Sequence, residues 1–195
     1  MRQMEANHGA NMPSKPTTPT PTTELRRRAR EHITDGAVTA NYQGDVTAAV
    51  ALLNDALATE LVCVLRYKFQ YVTARGIHSE GVKAEFLAHA QEEQAHADRL
   101  AARINQLGGK PDMNPSSLAG RSATEYVEND TIVAMIKENL VAERIAVETY
   151  RALIRHFADH DPTTRRLLED ILANEEEHAS DMQDLLARVA EERCP

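Results

Sequence analysis

The chain contains no tryptophan, only three phenylalanines and five tyrosines, so aromatic residues make up 4% of its 195 positions. That scarcity, beside an abundance of Ala, Leu, Glu and Arg, disfavours strands and favours helix. Cysteine is also scarce. Cys63 and Cys194 make neither a metal-binding pair nor a disulfide framework, and a reducing cytoplasm is the expected compartment. No apolar run reads as a signal peptide or a membrane span, so the expectation is a soluble protein with no membrane partner. Positive charge is outnumbered, 22 Lys and Arg against 30 Asp and Glu, for a formal net charge of -8. Nucleic acid as the principal partner is thereby disfavoured, because phosphate binding needs a concentrated positive surface. What remains is 42% hydrophobic and 27% charged residues, enough for one all-α domain with a substantial core.

Residues 13–23 alternate Pro and Thr and supply no core side chains, which marks residues 1–44 as a disordered N-terminal arm and residues 45–191 as the folded domain. Arg26, Arg27, Arg28 and Arg30 give the arm a short basic run, which reads first as a solvated charge run and otherwise as a contact for an anionic surface such as DNA or a neighbouring subunit. From Asp45 to Arg75, Val46, Val50, Leu53, Leu57, Val64, Tyr67, Tyr71 and Ala74 recur at three-and-four spacing, and Gly76 is expected to end the helix. Val82, Phe86, Leu100, Ile104 and Leu107 form a second seam, terminated by Gly108 and Gly109. The stretch from Lys110 to about Glu128 is too long for a tight turn and reads as a crossover. Ile136, Leu140, Val147, Tyr150, Ile154 and Phe157 define a third helix. Leu168, Ile171, Met182, Leu185 and Val189 define a fourth, with Asp161 and Pro162 as its cap and first-turn proline. Two antiparallel hairpins joined by one long crossover predict a four-helix bundle with ferritin-like connectivity.

The four seams continue through residues that are not apolar. Glu60 lies between Leu57 and Val64; Glu93 and His96 between Phe86 and Leu100; Glu143 between Leu140 and Val147; Glu175 and His178 between Ile171 and Met182. Ionised carboxylates in a core cost several kcal/mol each unless compensated, and neither lysine nor arginine lies in these seams to do so. Two divalent cations would balance four carboxylates and leave two imidazoles as nitrogen ligands; the blander reading is a buried polar network setting helix register. A single Glu-x-x-His is weak, since Glu5 and His8 also fit it inside the arm. The repetition is specific. Glu60 is followed at 7 residues by Tyr67 and at 33 by Glu93, while Glu143 is followed at 7 by Tyr150 and at 32 by Glu175. The two hairpins read as diverged copies about a pseudo-two-fold axis.

With the stretches LNDALATEL, EEQAHADRLAARI and ILANEEEHASDM, residues 45–190 resemble the ferritin-like di-iron family, most closely bacterioferritin. The resemblance implies that Glu93 and Glu175 bridge two metals, that Glu60 with His96 and Glu143 with His178 complete one each, and that Tyr67 is the catalytic tyrosine beside the centre. It implies two iron ions per chain, with manganese as the alternative. The expected activity is a ferroxidase oxidising Fe(II) to Fe(III) with O2 or hydrogen peroxide, for iron storage or detoxification. Two rivals stand beside it: a di-iron or di-manganese peroxidase or catalase without storage, and a DNA-protecting shell subunit. Gln94 occupies the place of bacterioferritin's haem-binding methionine, so haem is not expected, and most of the 17 residues after His178 are expected to finish the fourth helix, so the family's short fifth helix and a complete 24-subunit cage are not expected. His89, one turn from Glu93, is either a further ligand, an outer partner or a satisfied core histidine. Cys63 reads as a small buried hydrophobe. Tyr150 reads as packing with a hydrogen-bonded hydroxyl. An apolar stripe of Leu52, Val62, Leu65, Phe69 and Val72 predicts a subunit contact and at least a homodimer.

Overall fold

The computed structural model describes residues 19–76 and 79–191, so Glu5, His8 and Cys194 lie outside the described residues. Described residues form six α-helices and no strand: α1 (Thr22–Glu31), α2 (Val46–Thr73), α3 (Ser79–Gln106), α4 (Pro115–Arg121), α5 (Ile132–Phe157) and α6 (Pro162–Glu191). The chain divides into two units, residues 1–35 and 36–195.

In the first unit, part of the stretch expected to be disordered is helical. Its basic run is partly neutralised along α1: Arg27 pairs with Glu24 at 2.7 Å and Glu31 at 2.5 Å, and Arg28 pairs with Glu24 at 2.7 Å. Such i,i+3 and i,i+4 pairs supply local support that the Pro/Thr composition upstream does not suggest.

In the second unit, α2 packs along α3 and α5 along α6, the two expected hairpins. Caps appear where chain entry demands them. Asp45 accepts from the Ala48 amide at 3.1 Å, Thr131 from the Ala134 amide at 3.2 Å, and Asp161 from the Thr164 amide at 2.9 Å, satisfying amides the helices leave open. Gly108 ends α3 at φ 81°, and a Cβ on Gly109 would stand 2.5 Å from Val50. Helix α2 stops at Thr73, before Gly76, which adopts φ 127° in the turn. The crossover contains the short helix α4, whose Leu118 covers Ala58 and Val62 on α2. Val62 is therefore buried and is not part of an exposed stripe, whereas Leu65 and Val72 are 52% and 72% exposed. The expected boundary at residue 45 also moves outward: Val38 and Tyr42 pack on the core, and Tyr42 donates to Asp161 at 3.0 Å. Asp161 in turn accepts from Arg103 at 2.9 Å, tying the ends of α3 and α6 together in a buried ion pair.

By length and composition α2 is apolar enough to cross a membrane, contrary to the expectation from the sequence. Its apolar excess comes from facing both the core and the α4 crossover, and it turns Glu60, Arg66 and Gln70 into the bundle. Two apolar clusters fill that bundle. One includes Leu53, Leu57, Leu100, Ile104, Tyr150, Leu168 and Ile171; the other includes Tyr67, Phe86, Ala90, Ile136, Leu140 and Met182. On every long helix, the polar seam residues fall at the junction between the two.

Candidate metal centre

Glu60 comes from α2, Glu93 and His96 from α3, Glu143 from α5, and Glu175 and His178 from α6; none is more than 3% exposed. All six converge as two adjoining pockets. In the first, His96 Nδ1 lies 3.3 Å from Glu60 Oε2, 3.6 Å from Glu93 Oε2 and 3.0 Å from Glu175 Oε1. In the second, His178 Nδ1 lies 3.5 Å from Glu93 Oε1, 3.9 Å from Glu143 Oε2 and 4.0 Å from Glu175 Oε2. Glu93 and Glu175 thus give one oxygen to each pocket. In each set of four residues, the ligand atoms lie within 4.8 Å of one another, so each could hold a metal ion.

Hydrogen bonding divides these side chains into an outer and an inner half. The outer atoms have partners: the Tyr67 hydroxyl donates to Glu143 Oε1, the Tyr150 hydroxyl donates to Glu60 Oε1, and His178 Nε2 donates to Glu92 Oε2 at 2.6 Å. His96 Nε2 faces Asn174 Oδ1 at 3.5 Å. Inner atoms have none. Glu60 Oε2, Glu93 Oε1, His96 Nδ1, Glu143 Oε2, both Glu175 oxygens and His178 Nδ1 are buried without a hydrogen-bond partner. Buried polar atoms are almost always paired, so this concentration of orphans fits a centre completed by cations.

Burial and the proximity of Glu93 push Glu60 and Glu175 well above the usual carboxylate range, and the same causes raise Glu143. Glu93 goes the other way, because contacts with Glu60, His178 and His96 outweigh its burial. Burial alone would depress the histidines. Contacts with Glu175, Glu60 and Glu93 instead push His96 up to about 12, and those with Glu93 push His178 up to about 9. Protons therefore stand in the positions of compensating charge when no cation is bound.

Several contributors were not legible in the sequence. Tyr150, read there as a packing residue, is placed as symmetrically as Tyr67. Glu92 and Asn174 each precede a seam glutamate in the duplicated frame, and each reaches across to the histidine of the other copy. That shared position was the available signal. Arg66, left out of the charge balance, is 2% exposed; it donates to Asn139 Oδ1 and the Glu125 carbonyl, both at 3.0 Å, and feels Glu143 and Glu93 electrostatically. One guanidinium against four carboxylates leaves the deficit in place. Cys63 is buried and turned to Thr124 Oγ1 at 3.5 Å and to Arg66, and burial raises its thiol well above the usual value. His89 Nδ1 meets the Tyr67 hydroxyl at 3.1 Å, and its ring stacks on that of His178 with centroids 4.0 Å apart.

A helical bundle with paired carboxylate–histidine pockets at its centre defines a class of metal-handling four-helix proteins. The chain belongs to the ferritin-like family: the model of the ferritin-like domain matches residues 50–191. It is 32% identical over 146 residues to the DNA protection during starvation protein of Pyrococcus furiosus, covering 73% of this chain and 78% of that protein. It is 30% identical over 148 residues to the bacterioferritin of Brucella melitensis biotype 1, covering 72% and 86%. Among solved structures, a dodecameric thioferritin, the bacterioferritin-related protein of Bacteroides fragilis, superposes with a TM-score of 0.74 at 28% identity, covering 89% of this chain and 99% of that one. The likeness to bacterioferritin expected from the motifs is therefore shared with the DNA-protection proteins. Members of this family generally oxidise ferrous iron.

Proposed function

We propose that the chain is a ferroxidase that takes two Fe(II) ions per chain as substrate and oxidises them with O2 or hydrogen peroxide. The observation that carries this reading is the set of orphaned inward atoms, shared between two pockets through Glu93 and Glu175. In this reading Glu60, Glu93, Glu175 and His96 hold one ion, and Glu143, Glu93, Glu175 and His178 hold the other. Manganese fits the same donors, and a peroxidase or catalase reaction is the alternative use of such a site. With peroxide the balance is two Fe(II) and two protons per H2O2, giving two Fe(III) and two waters. In this reading Tyr67, which is hydrogen-bonded to Glu143 and His89, passes a proton at the centre. The chain acts as a homo-oligomer, in keeping with the dodecameric relative, and the exposed Leu65 and Val72 on α2 are part of the contact.

An anaerobic Fe(II) titration should load the two pockets with one ion each, followed by rapid oxidation when O2 or peroxide is added, and Glu93→Ala should abolish that pair and its oxidation. Equal oxidation in that variant rejects the site. Sizing the assembly by light scattering distinguishes a storage shell from a small oligomer with no interior.

The relative named for DNA protection favours a second reading, a DNA-protecting shell subunit using the basic helix α1. Salt-sensitive DNA retention, lost on removing residues 1–35, would support it; no retention at low salt would exclude it.

A further inference from the structure

Beyond the paired pockets, a third group of donors meets at His89. Its Nε2 lies 3.3 Å from Glu85 Oε1 and 3.4 Å from Asp181 Oδ2, and the three ligand atoms lie within 4.8 Å of one another. The side chain of His89 is 2% exposed, while those of Glu85 and Asp181 are 37% and 41% exposed, so the group opens to solvent on one side.

The hydrogen-bond order decides what Nε2 presents. The Tyr67 hydroxyl has one proton and gives it to Glu143, so toward His89 its oxygen can only accept, and Nδ1–H is the donor. With the ring proton on Nδ1, Nε2 turns a lone pair toward two carboxylate oxygens. This nitrogen and two carboxylate oxygens then converge, and the 3.3 and 3.4 Å separations, the second a long hydrogen-bonding contact with Asp181, exceed the usual 2.7–3.2 Å of N–H···O bonds. They match another geometry: two donors about 2.1 Å from one ion at a tetrahedral angle stand about 3.4 Å apart.

We propose that Glu85, His89 and Asp181 form a third divalent-cation site, distinct from the paired pockets, that takes a first-row transition ion with water completing its shell. One imidazole and two carboxylates suit Fe(II), Mn(II) or Zn(II). An ion there locks His89 in the Nδ1–H form and so holds the His89–Tyr67–Glu143 chain in one order, as outer partners do for metal-bound histidines elsewhere. The site needs no ion in the pair.

The test is an anaerobic Co(II) titration of the full chain by equilibrium dialysis and visible absorption. Glu85→Gln combined with Asp181→Asn should lose one Co(II) per chain relative to the wild type, while Glu60→Gln combined with Glu175→Gln should lose the pair and keep that one ion. If the Glu85, Asp181 variant binds as many ions as the wild type, the third site is overturned and the pair is untouched. If it loses its single ion in a protein that never bound a pair, the third site stands and the ferroxidase reading falls. Anomalous diffraction from Co(II)-soaked wild-type crystals decides the matter independently of the variants' folding: a peak about 2.1 Å from His89 Nε2 is expected, and none there overturns the proposal.

Discussion

Tyr67 on α2 donates its hydroxyl proton to Glu143 on α5, and Tyr150 on α5 returns the same bond to Glu60 on α2. Each tyrosine satisfies the outer oxygen of one carboxylate and leaves the inner oxygen free to face the pocket. Phenylalanine at either position is expected to destabilise the metal-free protein by about 1–3 kcal/mol, because a buried carboxylate oxygen loses its donor. Urea denaturation would measure it. Only Tyr67 has His89 behind it to continue the chain of hydrogen bonds. Stopped-flow oxidation of Fe(II) is therefore expected to slow by about tenfold or more in Tyr67→Phe and to change little in Tyr150→Phe.

Glu175 is the most crowded of the acids, with both oxygens buried and unpartnered and its carboxyl pushed well up by burial and by Glu93 and Glu60. Glu175→Gln removes the cost of burying an ionisable carboxyl without changing shape. The metal-free variant should melt at a higher temperature than the wild type, yet gain far less than the wild type from added divalent ions. The wild type should gain about 2.7 kcal/mol at a free-ion concentration near one hundred times its dissociation constant. Equal metal-induced stabilisation in both proteins would contradict the shared role of this side chain.

Metal loading should release protons. His96 is held up at about 12 and His178 at about 9, so both imidazoles are protonated in the metal-free site at neutral pH. A metal requires the neutral ring, and protons therefore compete with it. Affinity should rise with pH between 5 and 8, by about tenfold per unit for each proton released. Calorimetry in buffers of different ionisation enthalpy counts those protons; affinity that falls with rising pH would reverse the argument.

The two half-sites differ in what stands behind each histidine. His178 leans on the carboxylate of Glu92 at 2.6 Å, whereas His96 faces the neutral amide of Asn174 at 3.5 Å. A carboxylate partner makes the imidazole a stronger donor, and outer partners of this kind are worth about 10–100-fold in metal affinity. Glu92→Gln should weaken one of the two ions by that factor and leave the other unchanged, as read from a two-site titration. Asn174→Ala should have a smaller effect.

Much of this was legible before folding. The three-and-four periodicity defined four long helices, and the repeated Glu-x6-Tyr and Glu-x-x-His placed six polar residues in otherwise apolar seams, because a helix presents residues three and four apart on one face. The family followed from the same motif. Arg66 stayed invisible because a lone arginine at seam spacing reads equally as a surface residue. Glu92 and Asn174 stayed invisible because their partners lie on another helix, 86 and 78 positions away.

By itself, then, the sequence determined which residues share a helical face, since that depends only on local geometry and side-chain polarity. Tertiary structure alone decided the pairing across helices: Tyr67 with Glu143, Tyr150 with Glu60, Glu92 with His178, and Glu85 and Asp181 with His89. Those pairings follow from the rotation and register of α2, α3, α5 and α6 against one another. The two apolar clusters set that register by packing, and no spacing along the chain encodes it.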